Sequence, residues 1–256
     1  MLVVQALGAP AAAPGRPRRR PRPRPVEPGA DPAPVPISRL TVIPAAPFAD
    51  EAAAERWLAA VERDPEALDG AVAEATATVN AALHAQAIAA QDPGRAQVSP
   101  SHALAVRVGF GSGESLAEGR WSRALEVPPS RERRRWGDAL RPAERVAAVL
   151  GGRERPQACE TLLLRARADL DAGRGREASL QLHAGLAALL AEVAPNPGPD
   201  QEDDLAALAE RESEIGRIAE RALTAEPDPD ELAALEATLR IGERVLRRRR
   251  ILGTGS

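Results

Sequence analysis

Three glycines on alternate positions, Gly109, Gly111 and Gly113, follow a strand-like run in VRVGFGSGESLAEGRW, Val106 to Trp121. A glycine-rich turn holds phosphate when it leads from a strand straight into a helix, whose first amides then face the anion. The spacing excludes the common forms. A G-x-G-x-x-G turn needs glycine where Glu114 stands, and a G-x-x-x-x-G-K-[ST] loop needs a lysine that the chain lacks. A G-x-S-x-G nucleophile elbow would place glycines where Phe110 and Glu114 flank Ser112. Only ESLAEG separates Gly113 from the next strand-like run, which leaves room for about one helical turn. The stretch therefore reads as the tip of a β-hairpin, with glycine serving positive φ. Its exposed residues Glu114, Ser115, Glu118 and Arg120 form a candidate partner-binding loop.

Other chemistry is sparse. His84 and His183 fall in helical patterns and His102 at a strand start, with no pair at metal-ligand spacing and the single Cys159 far from all three. Cys159 lies in an apolar helical stripe, where a cysteine behaves as a small hydrophobe, and one cysteine forms no internal disulfide. Carboxylates are numerous and mostly accompanied by arginine, so no acid–base pair stands out. No catalytic, cofactor-binding or metal residue is assigned, and the chain reads as a non-enzyme.

Charge gives a second lead. All 34 basic residues are arginine, a pattern that matches a preference for GC-rich codons. Residues 1–36 hold six of them, Arg16, Arg18, Arg19, Arg20, Arg22 and Arg24, against Glu27 and Asp31, a local charge of +4. With −3 for the whole chain, the remainder carries −7. The segment GRPRRRPRPRPVEPGADPAPVP alternates arginine with proline, which removes backbone donors and fixes φ. It reads as a disordered, polyproline-like tail, a linker or an electrostatic arm for an anionic partner such as nucleic acid. It carries no aromatic for base stacking. The apolar start MLVVQALGAPAAAPG lacks the preceding positive region of a signal peptide, and no run approaches transmembrane length, so the expectation is a cytoplasmic chain without a membrane span.

These residues must be positioned by about ten elements. ISRLTVI, Ile37 to Ile43, reads as a strand ended by Pro44. Ala54, Trp57, Leu58 and Val61 recur at helical spacing after a capping Asp50. Asp64-Pro65 restarts a second helix with Leu68, Val72, Ala75, Val79 and Leu83 on one face, ending near Gln91 to Gly94. Alternation of Leu104, Val106, Val108 and Phe110, then of Trp121, Arg123, Leu125 and Val127, predicts the two hairpin strands.

Beyond residue 130 the pattern is helical. After the basic connector RERRRW, Leu140, Val146 and Leu150 mark a helix that Gly151-Gly152 ends. Cys159, Leu162, Leu163, Ala166 and Leu170 make one stripe, and Leu182, Leu186, Leu189, Leu190 and Val193 another, across a turn at Gly173. The run ARADLDAGRGREASL resembles the hinge of a tetratricopeptide helix pair, present once without a recurring repeat. Past APNPGPD, Leu205, Leu208, Ile215, Ala219 and Ala222 face Leu232, Leu235, Leu239 and Leu246 in a coiled-coil-like hairpin. Arg247, Arg248, Arg249 and Arg250 close it, as a dipole-favoured end or an anionic-partner contact.

The expected fold is α+β, mostly α: a disordered tail over 1–36, a small βααββ unit over 37–130, a helical region with an αα-hairpin over 131–195, and a helical hairpin over 196–256. The leading functional expectation is a protein-interaction or scaffold protein. The apolar seam after residue 200 has no obvious internal lid and should pack on the preceding helices or on a partner chain, another protein or a second copy. A nucleic-acid accessory protein using the Arg/Pro arm is the alternative. An enzyme with a site near the 109–121 hairpin is the third reading.

Overall fold

The computed structural model describes residues 1–7, 37–92, 94, 96–127, 145–198 and 200–252, and the chain divides into two compact units, Met1–Ser130 and Arg131–Ser256. The fold is α+β and mostly α, as the periodicities predict.

The first unit opens with a correction. Leu2–Leu7 is a strand, β1, and pairs antiparallel with β2, Ile37–Val42, in a register running from Leu2 opposite Val42 to Leu7 opposite Ile37. The tail expected over 1–36 thus begins with six structured residues, because LVVQAL is apolar and β-prone while the proline-rich composition starts later. The rest of that tail, including Arg16 to Arg24, lies outside the described residues.

Helix α1, Glu51–Arg63, starts where the Asp50 carboxylate accepts from the Ala53 amide at 2.6 Å. Ala54, Leu58 and Val61 are its buried face, as their spacing predicts. Trp57 adds its ring to Phe48, centroids 5.3 Å apart. Helix α2, Pro65–Ala90, is capped by Asp64, whose carboxylate accepts from Glu66 and Ala67, and stops at Gln91 in the left-handed region. Strands β3, Val106–Phe110, and β4, Arg123–Val127, pair antiparallel, with Phe110 opposite Arg123. Leu104 was expected inside the first hairpin strand; it lies outside β3 and is 85% exposed. The unit's order is therefore ββααββ with a short helix inside the hairpin. Among the described residues its apolar cluster is small, Ala54, Leu58 and Phe110 with Trp57 and Leu125 packed against them, and Val61 and Val79 are buried besides.

In the second unit residues 145–150 are helical (α4) and end at Gly151-Gly152, with Gly152 at φ +69°. Val146 and Leu150 are exposed. The connector and Leu140 lie outside the described residues. Arg145 ties α4 forward, bonding Glu154 at 2.6 Å and Glu160 at 2.7 Å.

Four long helices follow: α5, Ala158–Asp171; α6, Gly175–Val193; α7, Glu202–Ala222; and α8, Pro229–Leu252. Each runs against its predecessor. The first amides of α5 reach Glu192 at the end of α6. Arg176 at the start of α6 donates to the carbonyls of Ala222 and Leu223 at the end of α7. Asp204 at the start of α7 meets Arg244 near the end of α8. Arg167 of α5 closes the ring on Glu236 and Glu243 of α8, at 2.7 and 2.8 Å.

The result is an up-down-up-down bundle around one core, in which Cys159, Leu163, Leu182, Leu186 and Leu189 pack with Leu208, Ile215, Leu235, Leu239 and Val245. The helices on either side of 195/196 share this one core, and the seam of α7 and α8 is covered by α5 and α6, the first of the two covers expected for it. Each stripe alone is too narrow to stay dry, and four together exclude water. Close approach is set by glycine. A Cβ on Gly185 or Gly242 would come within 3.0 or 3.2 Å of the Leu163 side chain, which sits between α6 and α8.

Candidate functional site

The glycine loop is built for packing. The ideal Cβ of Gly109 would lie 2.3 Å from the Arg123 carbonyl oxygen and 2.6 Å from Ala124 Cα, so only glycine lets β3 and β4 approach there. Gly113 and Gly119 sit at φ +59° and +71° at either end of helix α3, Gly113–Ala117, a single turn inside the hairpin. One helical turn fits the expectation for this stretch, whereas of the three alternate glycines only Gly113 takes positive φ and Gly109 lies within β3. Glu114, Ser115, Glu118 and Arg120 are all exposed on the loop, and Arg120 is ion-paired to Glu118. We expect Gly109→Ala to destabilise the first unit by about 1–3 kcal/mol through overpacking. Thermal unfolding followed by Trp57 and Trp121 fluorescence checks this; an unchanged midpoint would show that β3 and β4 can separate freely.

The C-terminal arginines are divided in their roles. Arg248 donates to the Asp200 carbonyl and, at 3.1 Å, to Asp204; it fastens α8 to the start of α7. Arg247 is exposed and Arg249 half-buried, while the Arg250 side chain lies outside the described residues. Arg244 grips both Asp204 oxygens, at 2.9 and 2.6 Å. These bonds hold the Asp204 carboxyl below its ordinary value against the opposing effect of burial. Beside them the fully buried Gln201 donates to the Val245 carbonyl at 3.0 Å and accepts from the Gly198 amide at 2.8 Å.

A depressed folded-state pKa contributes stability above the unfolded value and loses it as pH falls through the folded one. The bundle should therefore weaken below about pH 4, the ordinary Asp range. In Asp204→Asn that part of the acid slope should be missing. Parallel melting curves from pH 7 to pH 3 test this, and identical slopes in the two proteins would refute it.

Cys159 is fully buried in α5 with its thiol pushed up to about 12, by burial first and then by the neighbouring Glu192. Burial also pushes Glu192 upward. Hydrogen bonds from the Cys159 thiol and from the amides of Cys159 and Ala158 outweigh that effect and leave its carboxyl below the usual range. Glu192 thus serves as the cap of α5, and the thiol is held protonated and away from solvent. Of the histidines, His84 is on α2 and half-buried, His102 is exposed in a short 3₁₀ turn, and His183 is exposed on α6 beside Gly216. Among the described residues no three His, Cys, Asp or Glu side chains gather as a metal site.

Two surface features remain. At one end of the bundle an open pocket of about 280 Å³ lies between the α5–α6 hinge and the α7–α8 turn. Leu170, Gly175, Pro227 and Leu232 line it together with Glu226 and Glu236. Glu236 already accepts from Arg167 at 2.7 Å and Arg240 at 2.8 Å.

The second feature is α2. From Ala75 to Ala90 it carries no Asp, Glu or Arg, whereas surface helices normally place charge on the turned-out face. Within the helix only Val79 is buried. Leu68, Val72, Ala75 and Leu83 are half-covered, while Ala77, Ala81, Ala82, Ala85 and Ala89 are exposed and Ile88 is 65% exposed. Sequence reasoning placed the inward face of α2 correctly and passed over the outward one. The legible signal was the uncharged run ATATVNAALHAQAIAA itself. Among the described residues no helix is long and apolar enough to cross a membrane. Compared with known proteins, the chain matches no family model, no curated protein and no solved structure.

Proposed function

We propose that this chain is a non-catalytic protein-interaction module whose docking surface is the outward face of α2. One observation carries the reading: over Ala75–Ala90 a continuous helix leaves an uncharged, apolar surface in solvent. Water contact with such a surface is unfavourable by roughly 25 cal/mol per Å², and a partner chain relieves it. The small apolar cluster of the first unit supports the same reading, since a small unit gains proportionally more from an external cover. The α7–α8 seam is occupied by the chain's own helices and is not free for a partner chain.

A photo-crosslinking residue placed at Ala81 in the expressed 256-residue chain tests this. Discrete adducts, to a second copy or to another protein, are expected from Ala81 and absent from the same probe at Glu210 on the solvated face of α7. Equal labelling at the two positions would overturn the proposal. For the nucleic-acid alternative, the discriminating measurement is anisotropy of a labelled duplex and single strand at about 50 and 200 mM salt. Counterion release over about six contacts weakens binding roughly a thousandfold across that range.

A further inference from the structure

We draw no further inference here: the strongest candidate, the uncharged outward face of α2 as the seat of a second, antiparallel copy of the chain, belongs to the surface already proposed, and nothing in the structure shows what covers it.

Discussion

A fragment comprising residues 196–256 alone should show no cooperative thermal transition and little helix at micromolar concentration, whereas residues 145–256 should unfold cooperatively. The reason lies in the shared core. Leu205, Leu208, Ile215 and Ile218 of α7 and Leu235, Leu239 and Val245 of α8 are buried against Leu163, Leu182, Leu186 and Leu189 of the two preceding helices. Removing α5 and α6 exposes that face, and two helices of about 20 residues joined by a short turn are marginal without it. Specific bonds go with the packing. Glu236 and Glu243 lose Arg167, and the carbonyls that end α7 lose Arg176. Far-ultraviolet circular dichroism against temperature decides the matter. A cooperative, concentration-independent melt of the short fragment would show that the α7–α8 hairpin is a domain by itself.

Leu186→Ala should cost the bundle about 3–5 kcal/mol, the range for a large-to-small change at a site that cannot collapse. Leu186 is only 1% exposed and lies among fully buried leucines of facing helices. For a unit of this size a loss of 3 kcal/mol lowers the melting temperature by roughly 10–20 °C. Leu164→Ala is the matched control: the same chemical change on α5, at a side chain that is 64% exposed, should stay within about 0.5 kcal/mol. Chemical denaturation of both variants gives the comparison directly. Equal losses would mean that the bundle's packing differs from the arrangement described here.

The local elements were legible because their signals are local. Asp50 and Asp64-Pro65 announce helix starts through groups two or three residues away, and both carboxylates make those bonds. The hairpin followed from period-2 alternation flanking a glycine loop, and the stripe Cys159–Leu163–Ala166 from helical spacing. The candidate loop residues were placed on the surface by the same logic, and Glu114, Ser115, Glu118 and Arg120 are there.

What the sequence by itself determined was therefore the position of β2, β3, β4 and the long helices and the inward faces of α1 and α5 to α8, since periodicity and capping depend on neighbours within a turn or a strand pair; Val146 and Leu150, expected on the apolar stripe of α4, are exposed. Tertiary structure decided which elements meet. Only pairing across a separation of thirty residues or more turns LVVQAL into β1, and only the bundle reveals that the stripes before and after APNPGPD cover one another. It also spent Arg244 and Arg248 on Asp204, a choice invisible in a run of arginines at a helix end. Apolar burial is non-directional, so a stripe states that it must be covered without stating by what; only the assembled core answers for α7 and α8.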